Sequence, residues 1–155
     1  MKKINLVFVF ILFFLGCAGR AEGQMAVPDG AKAQGLTLSN MVIKITANNR
    51  TATFQLYDTV AARELYNQLP LELELRNFRD AQWMFFLTQR LNVTSNEAYH
   101  NGVKGELSYY EPWGNGFMLY KDFYAQDQMH RLGINLTGIN EIARMSGIAR
   151  IERVE

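Results

Sequence analysis

The chain has 155 residues, enough for one domain once a targeting segment is set aside. With 48% apolar and 12% aromatic residues it can bury a core, which excludes a disordered chain. The net charge is only +1, and the basic residues are scattered singly (Arg63, Arg76, Arg90, Lys104, Lys121, Arg131), so a nucleic-acid partner, which needs a concentrated positive face, is excluded.

The chain opens with Met1-Lys2-Lys3, an apolar run from Ile4 to Leu15, and the small residues of Gly16-Cys17-Ala18-Gly19. Charge, apolar core and small residues in that order are the layout of an export signal, and the run falls short of the ~20 residues a membrane span needs. A lone cysteine after a small residue at the end of such a run resembles a bacterial lipobox, although Phe14 and Leu15 depart from its usual upstream pair. Residues 1–17 are therefore expected as a signal peptide with Cys17 as the lipidation site; ordinary cleavage near Ala21 to Gln24 and an uncleaved anchor are the alternatives. Cutting before Cys17 removes Lys2 and Lys3 and no acid, which leaves 14 basic and 15 acidic side chains, a net charge of −1. Cys17 is the only cysteine, so the mature domain has no disulfide and no thiol for catalysis or metal binding.

Residues 18–40 are rich in Ala, Gly and Gln without apolar periodicity and predict a flexible tether. The domain is expected over 41–155. Met41 to Thr46 and Thr51 to Tyr57 predict two strands joined at Asn48-Asn49, since Asn tolerates the positive φ of a tight turn. Asp58 or Thr59 then caps a helix from Val60 to about Gln68, which Pro70 ends. Leu71, Leu73 and Leu75 alternate with Glu72, Glu74 and Arg76, the pattern of a strand with one buried and one wet face. Trp83 to Leu87 is apolar throughout and predicts a strand buried on both sides. Asn92 to Gly102 reads as a loop. Gly105 to Glu111 and Phe117 to Asp122 predict two strands joined by Pro112-Trp113-Gly114-Asn115-Gly116. Gly138 to Met145 predicts a second helix stopped at Gly147, and Ile148 to Val154 a closing strand. The sum is a mainly β domain of about eight strands and two short helices, and so many antiparallel strands favour a closed barrel without exposed edges.

One segment points to a family. Gly105-Glu106-Leu107-Ser108-Tyr109-Tyr110-Glu111-Pro112-Trp113-Gly114-Asn115 resembles the Gly-Asp-hydrophobic-x-Tyr-Tyr-x-Pro-Trp-Gly-Asn signature of bacterial cyclophilin-like domains, small barrels that include many lipoproteins. Val42 to Tyr57 is similar to that family's opening hairpin, and Leu69-Pro70-Leu71 to its helix-to-strand step. Leu132-Gly133 with Gly138 to Gly147 is similar to its last helix, so the resemblance covers nearly everything from Met41 to Glu155. It implies a cyclophilin-like barrel. True cyclophilins isomerise prolyl bonds with an arginine in a Phe-His-Arg run and a Gln-Phe-Phe strand. This chain has no Phe-His-Arg, and its nearest counterpart to the second, Phe117-Met118-Leu119-Tyr120, lacks the glutamine.

The candidate site residues cluster around one hairpin. Tyr109, Tyr110, Trp113, Tyr120, Phe123 and Tyr124 offer a stacking wall for a peptide or small ligand, although alternate aromatics on a strand also serve to fill a core. Tyr109 and Tyr110 point to opposite faces of their strand, so at most one belongs to a given wall. Asn115 suits the turn, and Arg90, ending the Trp83 strand, is the arginine put forward as a charged donor. Glu111 and Asp122 form a possible acid pair on adjacent strands, with plain surface charge as the simpler reading. His100 and His130 lack metal-ligand spacing. No metal, cofactor or catalytic residue is assigned.

Together these readings predict an exported, lipid-anchored binding module of the cell envelope, soluble periplasmic or secreted in the alternative. Its partners would be a peptide or small-molecule ligand and, through the anchor, a membrane. The competing expectations are an enzyme, either a divergent prolyl isomerase or a partner in flavin-linked redox chemistry, and a purely structural envelope component.

Overall fold

The computed structural model describes residues 23–155; the apolar run and Cys17 lie outside them. Helix α1 (Asp29–Ala33) precedes the hairpin β1 (Leu38–Ala47) and β2 (Arg50–Tyr57). Helix α2 (Val60–Gln68) leads to β3 (Leu71–Glu74), β4 (Arg76–Phe78), β5 (Gln82–Phe86) and β6 (Ala98–Gly102). The hairpin β7 (Glu106–Tyr110) and β8 (Asn115–Leu119), the long β9 (Phe123–Thr137) and β10 (Ile148–Val154) complete the domain. All pairings are antiparallel, in the order β3-β10-β1-β2-β9-β7-β8-β5-β4, with β6 paired to β9 off that path.

The two ends of that order are neighbours in the chain. β3 pairs with β10 and β4 with β5, and only the buried Leu75 stands between β3 and β4. One nearly continuous extended segment thus seams the two ends of the sheet, and the barrel is nearly closed.

Local chemistry explains the elements. Asn48 and Asn49 turn the first hairpin with φ of 49° and 56°, the left-handed region that Asn tolerates. The Thr59 hydroxyl accepts the Ala62 amide hydrogen at 3.1 Å and caps α2, which buries Ala61, Ala62 and Leu65. Ile43 and Ile45 of β1, Phe54 and Leu56 of β2, and Leu107 and Tyr109 of β7 meet Phe85, Met118, Leu132 and Ile151 in the barrel interior.

Outside the barrel the strands differ. The outer side of β1, β2 and β10 is polar, with Lys44–Glu152 at 3.6 Å, Thr53 and Thr137 hydroxyls at 2.6 Å, and Arg150 between Glu72 and Glu152. On the outer side of β5, β8, β9 and β6, Met84, Phe117, Leu119, Met129 and Tyr99 form a second apolar cluster.

Several expectations need correction. The mainly β barrel stands, but among the described residues it has ten strands rather than about eight: Leu75 splits one of the seven strands named from the sequence, and β6 and β9 were missed. Within the predicted tether, residues 29–33 are helical and Ala31, Val27, Leu36 and Leu38 pack with Tyr57 and Ile134. Apolar residues spaced too irregularly for one period still bury there, because the sheet supplies their partner. Asn92 to Gly102 is not a loop throughout: Ser95–Glu97 is a 3₁₀ turn closed by a Thr94–Glu97 capping box, and β6 follows. Gly138 to Met145 carries only a 3₁₀ turn, Ile142–Arg144, with Ile142 and Met145 buried and glycines at positive φ bracketing the segment at 138 and 147. In the strand predicted as buried on both sides, Phe86 is exposed and Arg76 stacks on its ring. β9 went unread because its polar residues Gln126, Gln128, His130 and Arg131 interrupt any simple alternation.

Candidate functional site

The outer apolar cluster floors a cup of about 470 Å³. Its floor is set by strand register. Met84 lies opposite Phe117, Gln82 opposite Leu119 and Asn115 opposite Phe86, and alternation sends Gln82, Met84, Asn115 and Phe117 to the same outer face. Met129 comes in from β9, opposite Tyr110 of β7.

Aromatic rings build the wall. Phe78, at the end of β4, meets Trp113 edge to face with centroids 5.8 Å apart and Phe123 at 6.0 Å. Tyr110 meets Trp113 at 5.2 Å and 85°. Such edge-to-face contacts hold the rings upright, so the wall is formed before a ligand arrives. Trp113 is nonetheless half exposed and Tyr124 is 61% exposed, so large apolar surface at the mouth still faces water.

Two glycines make the geometry possible. Gly114, at φ 68°, turns the chain after Trp113. Gly116 lies opposite Phe85, and a Cβ there would sit 2.3 Å from the Phe85 ring, which fills the space on the barrel side.

Polar groups are few. Gln82 and Asn115 are 5% and 1% exposed, and neither Gln82 Oε1 nor Asn115 Oδ1 has a hydrogen-bond partner. A buried amide oxygen left without a donor costs free energy, on the order of 1–3 kcal/mol, and a ligand N–H relieves that cost. Among the described residues that line the cup, Arg79 is the only charged one. It sits in the β4–β5 turn at φ 53°, its guanidinium 5.1 Å from the centre of the Phe78 ring. The adjacent Asp80 is engaged elsewhere: it accepts from Lys121 at 2.8 Å and from the Tyr120 hydroxyl at 2.9 Å, and the bond from Lys121 holds its carboxyl below the usual range.

Beside the cup lies a buried polar cluster. Arg131 of β9 pairs with Glu106 of β7, side chains 4% and 0% exposed. The guanidinium also stacks 3.9 Å from the Tyr99 ring centre, and the Tyr99 hydroxyl bonds that of Ser108. Burial pushes the Glu106 carboxyl up to about 6, against the pull of Arg131 and of the Val103 amide, which donates to it at 2.8 Å. Burial likewise holds the His130 imidazole below its ordinary value. Gly30 of α1 covers this cluster, and a Cβ there would meet the Arg131 guanidinium at 2.9 Å.

Of the residues singled out in the sequence, Tyr110, Trp113, Asn115, Phe123 and Tyr124 come together at the cup. Tyr109 points into the barrel, where its hydroxyl accepts the Leu91 amide hydrogen at 3.2 Å. Tyr120 is buried away from the cup and accepts a hydrogen bond from Asn77 at 2.6 Å. Arg90 donates to the carbonyls of Glu111 and Pro112 and packs against Gly114, so it braces the turn that carries Trp113. Glu111 and Asp122 stand at opposite ends of the β7–β8 hairpin and make no acid pair. Phe78, Arg79, Gln82, Met84 and Phe117 were missed; a lone glutamine opening an otherwise apolar strand was the available signal. Among the described residues no group of three or more His, Asp and Glu side chains gathers as metal ligands. No helix among them is long and apolar enough to cross a membrane.

The sequence profile of the cyclophilin-like family matches residues 45–152. The chain belongs to the cyclophilin-like family. The match takes in every strand from β2 to β9, most of β10 and all the cup residues. Among solved structures, the hypothetical protein AF2241 from Archaeoglobus fulgidus superposes with a TM-score of 0.57 at 12% identity, over 74% of this chain and 95% of that one. At that identity the likeness speaks for the fold alone. No curated protein matches the chain.

Proposed function

We propose that this cyclophilin-like domain is a binding module that holds a peptide in the cup between β5, β7, β8 and β9. The observation that carries this reading is a preformed aromatic wall standing over two buried amide oxygens that lack donors. A fold does not gain stability from such groups, but an extended peptide offers both an apolar side chain and backbone N–H groups. Export and anchoring through Cys17 would place the module at the cell envelope; palmitate labelling that survives Cys17→Ser would count against the anchor.

A second reading is favoured by one specific feature. Arg79 and Gln82 put a guanidinium and an amide at the same apolar cup, the two polar group types that the resemblance assigns to prolyl isomerases. A donor aimed at a prolyl amide lowers the barrier to its rotation.

One titration separates the readings. Peptides with and without proline are added to ¹⁵N-labelled protein while the Trp113 indole signal and the Gln82 and Asn115 side-chain amides are followed, and prolyl exchange rates are measured in the same samples. Saturable shifts at these three residues are expected, together with a loss of about 2 kcal/mol of binding, roughly thirtyfold, in Trp113→Ala. Folded protein whose cup signals never move across the panel would sink the binding reading. Exchange accelerated in proportion to protein, and lost in Arg79→Ala, would establish the isomerase.

A further inference from the structure

With the cup taken as the binding site, as proposed above, its polar groups also give its ligand a direction. We propose that the occupant is the carboxyl-terminal end of a peptide, its last side chain apolar and seated in the cup, its free carboxylate on Arg79.

The two partnerless oxygens lie at opposite ends of the floor. Gln82 is opposite Leu119, four positions along β8 from Asn115, and the Met84–Phe117 pair lies between. Four positions on a strand span about 13 Å. An extended peptide of about four residues covers that distance, whereas a free amino acid or a small ring reaches only one of the two oxygens.

Charge then distinguishes the ends. Arg79 stands at the Gln82 end, next to Phe78, whose strand partner is Gln82. No hydrogen bond or ion pair engages Arg79 among the described residues, whereas Arg50, Arg63, Arg76, Arg131 and Arg150 all pair with carboxylates. Asp80, its neighbour, is taken by Lys121 and Tyr120. The cup is thus an apolar site with one uncompensated planar cation at one end. A carboxylate takes that fork in two parallel hydrogen bonds, and the amide hydrogen of the same last residue then falls to Gln82 Oε1. The last side chain covers Met84 and Phe117, and an N–H further upstream serves Asn115 Oδ1.

The test uses acetyl-Ala-Ala-Ala-Phe with a free carboxylate and the same peptide as its carboxamide, each titrated into the protein while the Trp113 indole signal is followed. The acid is expected to bind about three- to tenfold more tightly at low salt, with the gap closing as salt is added and vanishing in Arg79→Gln. Equal affinities for acid and amide, with the cup signals shifting in both, would overturn the proposal and leave the cup as a site for internal peptide segments. A preference for the acid that survives Arg79→Gln would overturn it too. Binding by neither peptide would remove both this assignment and the reading of the cup on which it rests.

Discussion

The outside of this barrel is two different surfaces. Over β1, β2 and β10 the outward positions are polar and pair at the surface: Lys44 and Arg150 with Glu152, Thr46 with Thr51, and Thr53 with Thr137 of β9. Over β5, β7, β8 and β9 the outward positions hold Met84, Phe117, Leu119 and Met129, with Glu106, Ser108 and Arg131 buried beside them. A barrel needs only its inward side chains to fold, so an apolar outward layer goes beyond what folding requires. The lesson is that the candidate site lies where strand alternation stops separating wet from dry.

Three measurements break or sharpen that contrast. The largest effect is expected at the buried ion pair. Arg131→Met strands the Glu106 charge and should cost about 3–5 kcal/mol in urea unfolding, while adding Glu106→Leu should restore most of the loss. A single variant costing under about 1 kcal/mol would mean that this region is wetter than its burial indicates.

Next comes pH. The folded Glu106 carboxyl at about 6 stands above its ordinary 4.5, so the native state binds more protons than the unfolded chain between those values. Its contribution is present below pH 4.5 and is lost as pH rises to about 6, an effect of about 2 kcal/mol. His130, whose imidazole burial holds below its ordinary value, acts in the opposite sense. Subtracting the stability curve of Glu106→Gln from that of the parent therefore isolates the carboxyl. A flat difference curve would show that Arg131 fully offsets the burial of its partner.

The smallest effect is expected on the polar face. Thr53→Val removes a hydroxyl pair that water readily replaces, and thermal unfolding should change by about 0.5 kcal/mol or less. A larger loss would place that face in a packed environment and erase the contrast.

How much was legible follows the same divide. The first hairpin, its Asn pair, α2 with its Thr59 cap and the alternating leucines of β3 were readable because each rests on local chemistry or on strict alternation with water on one side. Five of the cup residues were readable because they crowd around the hairpin that carries Trp113. Gln82, Met84 and Phe117 were not, because a strand buried on both sides carries no mark saying which residue faces the barrel and which faces the cup. Arg90 was the arginine put forward, for its place at a strand end, yet it folds back onto the carbonyls of the Trp113 turn, and Arg79 went unnamed.

By itself, then, the sequence determined the elements with one wet face, the turns that need Asn or Gly, and the family, through the Tyr109 to Asn115 segment. Only the tertiary structure decided that β3 and β4 seam the two ends of the sheet, that β9 joins three strands, and that Met25, Val27, Ala31, Leu36 and Leu38 pack with Tyr57 and Ile134 while Gly30 sits against the buried Arg131. Those facts depend on pairings between residues far apart in the chain, whose free energy comes from a shared buried surface that neither partner carries alone.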